Sequence, residues 1–466
     1  MSGRVLGIDL TPGKLALVAV FALVAIALAM LSPPADTPNA MIGLAIVAFT
    51  VSLWATSALP ALHSGVIFFA LALATGIAPT VPLLSGFWSN AAMLVIGGLA
   101  IGGAAERTGL GCYVARALMS GISTYPRLIA SILIGSTVLN FLVPTTMGRL
   151  AIMIPILLAT AKEVGYEPGS RGYIGIILTV VAGNYLTSYG VMPANLTNVI
   201  SLGALETLGG PTIRYGAYLL MCLPLLGLLK TLMFWAAICL LLPAPPPKAV
   251  AADTMSASLT PAARRLAILL AVTVLLWMTD FLHHLKPGWI ALAAGFVCLL
   301  PPLGFARTED VFDFNRITSI ISLAAVLGVA TVLTTSGAGT MIATALAQLM
   351  PASGASPAYG FMLISFSASL IAVGATIPGS IAIVTPTLPG IEAATGLPLN
   401  AGLTAMLVGL QSPFFAFEAV PVMVGLMMGK VAASAASRIL IPLAITGLLV
   451  IAPLQIAWLK LLGIMP

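Results

Sequence analysis

The stretch that most constrains the fold is NFLVPTTMGRLAIMIP, residues 140–155. It lies within a long apolar region, yet it contains prolines, two adjacent threonines, a glycine and an arginine. A charge at membrane depth costs roughly 2.5 kcal/mol or more, so it commonly marks a transport pathway or a binding site. The proline and glycine interrupt a helix, and interrupted backbone persists at that depth only where protein or a water-filled cavity surrounds it. We therefore expect a re-entrant hairpin that presents Thr145, Thr146 and Arg149 to a small solute. The alternative is a kinked membrane helix whose arginine extends to the surface.

The composition of the whole chain predicts a membrane protein. Of its 466 residues, 60% are hydrophobic and 7% are charged, and the mean hydropathy is +1.13. Too few polar side chains remain to cover a soluble domain. The class predicted is an all-α polytopic membrane protein, because a membrane barrel would show short alternating segments instead. The net charge of +6 is scattered among apolar segments, which does not indicate nucleic-acid binding.

The lengths of the apolar runs predict about eleven transmembrane helices plus two re-entrant hairpins. The first run, 15–31, is longer than the apolar core of a signal peptide, so we interpret it as a membrane helix. The predicted divisions are an N-terminal helix (1–38), a first repeat (39–242) with a hairpin near 124–160 and a broken helix near 172–200, a cytoplasmic linker (243–262), and a second repeat (263–466) with a hairpin near 357–391 and a broken helix near 402–428.

Short sequences in the first half recur in the second half in the same order. The recurring pairs are 52–56 with 275–279, 108–118 with 336–346, and 152–155 with 383–386. Lys and Arg are distributed unequally between the copies: Arg107, Arg116 and Arg127 accompany the first glycine-containing segment, whereas residues 335–359 contain neither. By the positive-inside rule the two copies face opposite sides of the membrane, with the N-terminus in the cytoplasm. Homologous halves of opposite orientation are typical of secondary transporters, which hold substrate near the midplane.

Each half contains a second polar interruption that is expected to face the same pocket. In the first half it is NYLTSYGVMPANLTN, residues 184–198. In the second half the hairpin interruption is 374–380, and the second interruption is 411–418. A helix that breaks there exposes backbone N–H groups suited to an anion and carbonyls suited to a cation. The alternative for each side chain is a hydrogen bond to a neighbouring helix. The substrate-binding candidates are Thr145, Thr146, Arg149, Ser188, Asn195, Thr376, Ser380 and Ser412, and the coupling-ion candidates are Asn184, Gly190, Gln411 and Glu418.

Two ionisable residues deep in apolar segments have competing interpretations. Glu418 either carries a coupling proton or pairs with Arg149, and that pair is either functional or purely structural. Lys230 is expected to extend its ammonium to the membrane surface. The four cysteines lie in or beside apolar segments and indicate neither a disulfide framework nor a metal site.

Several motifs resemble those of the divalent-anion/sodium symporter family of the ion-transporter superfamily. They are GGLAIGGAAERTGL at 97–110, the Trp277-Met278-Thr279-Asp280 element with His283 and Ala291-Leu292, and Ser188-Tyr189-Gly190 followed by Pro193-Ala194-Asn195. The resemblance covers nearly the full length after the first helix. It implies an inverted repeat, a homodimer in the inner membrane, and elevator-type transport of di- or tricarboxylates or of sulfate.

The hairpin motifs depart from the family pattern in a way that bears on coupling. Residues 144–149, PTTMGR, stand where the branch resembling citrate–succinate and plastid oxoglutarate–malate exchangers has PSNTAR, and the second Ser-Asn-Thr motif appears as Thr376-Ile377-Pro378. The family's sodium ligands come largely from these motifs. We therefore hypothesise that Arg149 supplies the positive charge that sodium supplies elsewhere, and we expect either Na⁺ or H⁺ as the coupling ion and no cofactor.

The function predicted from the sequence is secondary transport of small organic anions across a lipid bilayer. A permease for sulfate or another inorganic oxyanion and an anion channel are the alternatives. An intramembrane enzyme is disfavoured, because the three histidines lie near the ends of predicted spans and no His-Glu-x-x-His motif occurs.

Overall fold

The structure, a computed structural model, describes residues 4–5, 8–9, 12–34, 36–56, 58–117, 123–248, 259–301, 303, 305–307, 309, 314–347 and 355–466. Half of the predicted linker, 249–258, lies outside the described residues. Within them the chain is helical apart from a short antiparallel pair, β1 (Arg4–Val5) and β2 (Ile8–Asp9). Eight helical segments are long and apolar enough to cross a membrane, and four shorter apolar helices accompany them. The prediction of an all-α polytopic membrane protein is confirmed.

The described residues of the first half contain thirteen α-helices. They are α1 (Pro12–Ala29), α2 (Ala40–Thr56), α3 (Ala61–Thr75), α4 (Thr80–Leu84), α5 (Asn90–Thr108), α6 (Leu110–Ala117), α7 (Tyr125–Leu142), α8 (Thr146–Glu163), α9 (Arg171–Leu178), α10 (Asn184–Thr187), α11 (Leu196–Thr207), α12 (Tyr215–Cys222) and α13 (Lys230–Leu241). A π-helical segment, Thr179–Gly183, joins α9 to α10, and another, Leu223–Leu229, joins α12 to α13.

The described residues of the second half contain eleven helices. They are α14 (Pro261–Met278), α15 (Asp280–His283), α16 (Pro287–Leu299), α17 (Phe314–Ser336), α18 (Ala338–Ala347), α19 (Pro357–Val384), α20 (Leu388–Thr395), α21 (Leu399–Leu410), α22 (Val420–Met428), α23 (Ala433–Thr446) and α24 (Ala452–Leu461). A third π-helical segment, Gly447–Ile451, joins α23 to α24.

The succession of elements from α5 to α13 is similar to that from α17 to α24. Each begins with a long helix, a left-handed glycine and a shorter helix, and the two glycines are Gly109 (φ 74°) and Gly337 (φ 81°). A helical hairpin, a broken helix and a helix with a π-helical segment follow in both halves. Glycine ends such helices because it adopts positive φ without the steric cost of a Cβ.

The helices that precede the hairpins pack across the halves. Helix α5 runs alongside α16, where Gly288 donates its N–H to Asn90 Oδ1 at 2.8 Å. Gly97 and Gly295 then face each other closely, since a Cβ on Gly295 would lie 2.9 Å from the Gly97 Cα. Helix α17 packs in the same way against α3, where Gly328 meets Phe68. A long helix of each half therefore packs against a shorter helix of the other.

The π-containing helices of the two halves cross in antiparallel directions. Lys230 of α13 donates to the carbonyl of Leu443 in α23, and Gln455 of α24 donates to the carbonyl of Met221 in α12, both at 2.8 Å. As the numbering rises from 221 to 230, the partner numbering falls from 455 to 443. The π-helical segments make these carbonyls accessible, because they interrupt the regular pattern of helical hydrogen bonds.

The two broken helices also run antiparallel to each other. Tyr173 at the start of α9 donates its hydroxyl to the Gly429 carbonyl after α22, at 3.0 Å. At the other end, Tyr189 donates to the Leu410 carbonyl at 3.0 Å. The breaks of the two helices therefore meet inside the protein, where nearly all the surrounding side chains are buried.

Candidate functional site

The tip of the first hairpin is a three-residue turn between α7 and α8. Val143 is extended (φ −125°, ψ 97°), and the Thr145 side chain accepts a hydrogen bond from the Gly148 N–H at 3.3 Å, which caps α8. Pro144 rests on Gly98 of α5, where a Cβ would lie 3.1 Å from the proline ring. The absence of a side chain at Gly98 thus lets the tip seat directly against α5.

Arg149 lies one turn beyond this tip and is completely buried, with 0% of its surface exposed. Its Nε donates to Asn184 Oδ1 at 2.6 Å and its Nη1 donates to the Val143 carbonyl at 2.6 Å. Its Nη2 donates to Thr146 Oγ1 at 3.2 Å and to the Ala194 carbonyl at 2.9 Å. All four acceptors are neutral, and through them the guanidinium joins the hairpin tip to the broken helix.

The broken helix supplies two of these acceptors. After α10 and a short 3₁₀ turn, the backbone is extended at Val191 (φ −124°, ψ 121°) and again at Asn195 (φ −136°, ψ 133°). Pro193 lies between them and lacks an N–H. The Asn195 side chain then accepts from the Thr197 N–H at 3.1 Å and caps α11. This interruption leaves the Ala194 carbonyl free to accept from Arg149.

Four asparagines around the break are buried and partly unpaired. Asn140 donates to Thr187 Oγ1 at 2.9 Å, and Asn198 donates to the Ser188 and Val191 carbonyls at 3.0 Å each. The atoms left without a hydrogen-bond partner are Nδ2 of Asn184 and Asn195, and Oδ1 of Asn140 and Asn198. Buried polar atoms are normally paired, so these four mark a place where a polar ligand or water would be stabilised.

Three predicted hydroxyl donors are already bonded to backbone. Ser188 donates to the Tyr185 carbonyl at 2.6 Å, Ser380 to the Ala368 carbonyl at 2.7 Å, and Ser412 to the Val408 carbonyl at 3.0 Å. Each is at most 2% exposed. In this conformation all three hydroxyl protons are donated to backbone carbonyls and not to a ligand.

The second hairpin has its tip at Thr376, within α19. This residue has φ 56° and ψ 173°, a backbone conformation that side-chain-bearing residues rarely adopt. Its hydroxyl makes no hydrogen bond to any described residue. Beyond the tip, Gly379 packs beside Val51 of α2, where a Cβ would lie 3.3 Å from the valine side chain.

Glu418 and Arg149 do not pair within the described part of the chain. One carboxylate oxygen of Glu418, Oε1, accepts the N–H groups of Phe414 and Phe415 at 2.9 and 2.8 Å. The glutamate therefore closes the turn before α22, and its side chain is 1% exposed. The hypothesis of an Arg149–Glu418 pair is wrong for this conformation, because both side chains are bonded to nearby backbone or amide groups.

Gln411 and Gly190 bring the two breaks together. The Gln411 amide donates to the Leu186 carbonyl at 2.7 Å and also to the Leu226 carbonyl in the π-helical segment. A Cβ on Gly190 would lie 2.8 Å from the Gly227 Cα. These contacts describe packing roles for both residues, in addition to the ion-binding role predicted for them.

The prediction for Lys230 was wrong, and the candidate site residues did not include Asn140, Asn198 or Glu106. Lys230 does not extend to the surface, since it is 1% exposed and donates to the Leu443 carbonyl. The Glu106 carboxylate lies beside Gly148 at the first hairpin, where a Cβ would meet Oε1 at 2.8 Å. Lys230 follows a proline and a glycine in the sequence. Both are typical of an interrupted helix, and this signal could have indicated that the lysine is buried.

Paired hairpins whose tips lie against broken, antiparallel helices define a polytopic membrane transporter fold. In agreement with this class, residues 13–465 match the family described as "Sodium:sulfate symporter transmembrane region". The chain belongs to this family of secondary transporters, and the resemblance drawn from its motifs is confirmed. No enzymatic family is indicated.

Other proteins are similar over most of the chain. A protein of Cupriavidus necator described as "Membrane protein" is 25% identical over 424 residues, which is 82% of each chain. The crystal structure of the Alcanivorax borkumensis YdaH transporter, described as having an unusual topology, has a TM-score of 0.58 at 16% identity and covers 82% of this chain and 88% of that one. Neisseria gonorrhoeae MtrF, described within a class of antimetabolite efflux pumps, has a TM-score of 0.54 at 12% identity and covers 96% and 94%. These two structures support the fold.

Proposed function

We propose that the protein is a secondary active transporter of small organic anions, di- or tricarboxylates, and that it works by an elevator-type movement. The observation that carries this proposal is Arg149, a fully buried cation whose hydrogen-bond acceptors are all neutral. A buried charge whose hydrogen-bond acceptors are all neutral is costly in a membrane interior. An anion bound nearby would lower that cost, and this gives the site its selectivity for negative charge.

The surrounding groups favour an anion as well. Two helix N-termini, those of α8 and α11, start within the same network, and each carries partial positive charge from its free N–H groups. The unpaired Nδ2 groups of Asn184 and Asn195 are further donors. Thr145 and Thr146 of the hairpin motif lie at the start of α8, next to them. The four N–H groups described for Arg149 donate to the protein, so we assign Arg149 an electrostatic role. We assign direct contact with the anion to the other donors.

Carboxylates are favoured over sulfate by the hairpin motif. Residues 144–149 keep the proline and arginine of the exchangers for citrate, succinate, oxoglutarate and malate that the motif resembles. Sulfate is the second candidate, because the family to which the chain belongs is described by it. Thr376, Ser380 and Ser412 are assigned to the contribution of the second half.

The elevator movement requires two inverted halves, and the packing supports this arrangement. The π-containing helices α12–α13 and α23–α24 hold corresponding places in the two halves, yet they run antiparallel. The broken helices, which also correspond, do the same. Antiparallel corresponding helices are expected of an inverted repeat. We extend the proposal to a homodimer in the inner membrane with a cytoplasmic N-terminus, on the basis of the family resemblance and the distribution of Lys and Arg.

Counterflow in proteoliposomes tests the proposal. Vesicles loaded with one anion are given the same labelled anion outside, over a panel of di- and tricarboxylates, monocarboxylates and sulfate. Each anion is measured with and without sodium and with and without a pH gradient. We expect exchange of dicarboxylates and weak exchange of monocarboxylates. A conductance without exchange, or exchange restricted to sulfate, would contradict the proposal.

A further inference from the structure

Lys230 is a second buried cation, and it lies apart from the Arg149 network. It lies within the apolar segment Tyr215–Leu241, where its ammonium donates to the Leu443 carbonyl at 2.8 Å. A side chain on Gly447 would collide with both Lys230 Nζ and Ser412 Oγ. Only glycine at position 447 therefore lets the Lys230 amine approach Ser412. Ser412 lies at the break of the second broken helix.

The other half of the protein contains an uncharged counterpart. Gln455 occupies the corresponding place on α24, and its amide donates to the Met221 carbonyl at 2.8 Å. Both side chains connect the two π-containing helices through a carbonyl next to a π-helical segment. A neutral amide is sufficient for this contact, so the packing itself gives no reason for a charge at Lys230.

The elements that pack against α13 bring no carboxylate to this lysine. Besides Lys230 itself, the charged and titratable groups on those elements and on its own helix are Tyr125 and Arg127 on α7, Tyr185 on α10, Cys239 on α13 and Arg438 on α23. Both arginines are exposed, and Tyr185 is hydrogen-bonded to Tyr189 at 2.6 Å. In such surroundings the free-energy cost of a buried ammonium is lowered in one of two ways. Either the ammonium loses its proton, or an anion binds nearby.

We propose that Lys230 is a proton-binding site and that its proton moves together with the transported anion; this rests on the proposed function. The neutral amine of Lys230 accepts one proton from water on one side of the membrane and becomes an ammonium. The ammonium releases that proton on the other side, and no other bond changes. The amine donates to Leu443 in both states, because it keeps N–H groups after deprotonation. Anion binding near the breaks favours the ammonium, and by linkage the ammonium favours anion binding.

Thermal unfolding of the purified full-length protein tests the proton site without any substrate. The variant is Lys230→Gln, which Gln455 shows to be compatible with the contact, and the matched control is Lys460→Gln at an exposed lysine of α24. If the folded protein holds fewer protons on Lys230 than the unfolded chain does, its stability must rise with pH. We expect the wild type to gain stability relative to Lys230→Gln as the pH rises toward the ordinary pKa of lysine, about 10.4, and to show no such gain relative to the control. A difference from Lys230→Gln that is constant with pH would overturn the proposal.

Transport in proteoliposomes tests the coupling, with succinate as the probe and the membrane potential clamped at zero. One proton per anion supports about tenfold accumulation for each pH unit of gradient. We expect the wild type to accumulate succinate under the gradient, and Lys230→Gln to exchange it but not to accumulate it. Lys230→Arg should lose accumulation as well, because a guanidinium does not release its proton. Lys460→Gln should behave as the wild type.

The outcomes separate the two proposals. Wild-type protein that accumulates succinate only with sodium, or a Lys230→Gln variant that accumulates it as well as the wild type, overturns the proton site as a coupling device. If no anion of the panel is exchanged, the proposed function fails, and the thermal comparison alone decides whether Lys230 binds a proton in this pH range.

Discussion

The guanidinium of Arg149 combines two effects that separate experimentally. Its hydrogen bonds hold the first hairpin to the broken helix. Its charge is the part that we propose acts on a bound anion. A lysine retains the charge but has a single ammonium with compact geometry, which cannot reproduce the planar fork. Glutamine loses the charge as well.

We expect Arg149→Gln to lower dicarboxylate exchange about tenfold or more, which corresponds to about 1.4 kcal/mol. Arg149→Lys should retain more exchange than Arg149→Gln, because the charge remains in the pocket. Initial rates of exchange, normalised to the amount of folded protein, provide the measurement, and Arg438→Gln at an exposed arginine of α23 is the control. Equal losses in both Arg149 variants would assign the residue a purely structural role.

The second hairpin stores backbone strain at its tip, in contrast to the first. The first turn uses extended residues and a threonine cap, whereas the second places Thr376 at φ 56° at a kink between two helical segments of α19. Such conformations cost about 1–3 kcal/mol and occur preferentially at functional sites. The unpaired hydroxyl of Thr376 is consistent with its assignment to the substrate pocket.

Thr376→Gly should stabilise the protein by about 1 kcal/mol, because glycine relieves the strain while losing some of the gain to chain entropy. The control is Thr387→Gly, where the backbone is ordinary (φ −86°, ψ −16°) and the same change should destabilise by about 1 kcal/mol. Thermal unfolding in detergent measures both. A destabilised Thr376→Gly variant would show that the threonine side chain contributes more to stability than its backbone strain costs.

Contacts at the ends of several helices bear on the orientation predicted from Lys and Arg. Val164, just beyond α8, accepts the N–H of Lys248, and Tyr173 contacts the Gly429 carbonyl. We infer that Arg214 and His284 lie on the opposite face, where Arg214 Nη2 is 3.3 Å from His284 Nδ1. The first group is the one that the positive-inside rule places in the cytoplasm.

Cysteine labelling tests this arrangement across the two repeats. In a variant without the four native cysteines, we introduce single cysteines at the exposed positions Glu167, Lys430, Arg214 and Lys286. A membrane-impermeant maleimide added to intact cells should label positions 214 and 286, and it should label 167 and 430 only after the membrane is opened. Labelling of 167 and 430 from opposite sides would contradict the inverted repeat.

The sequence alone was enough to predict the membrane class, the family and the places where helices are interrupted. Hydropathy is a property of each segment. Pro144, Gly190 and Pro193 interrupt the helix in which they lie, whatever the rest of the fold. Both signals can therefore be recognised from the sequence alone. Thr376 was identified as part of an interrupted stretch for the same reason, although its positive φ was not foreseen.

The tertiary structure alone decided the partners of the buried polar groups. Arg149 bonds to Asn184 and Ala194, Glu418 closes its own turn, and Lys230 is buried against Leu443. The pairings of Arg149 and Lys230 join residues that lie tens to hundreds of positions apart, and they depend on how whole helices cross. A single sequence shows that a charge lies in an apolar segment, but only the crossing of the helices determines whether the charge meets lipid, water or another part of the chain.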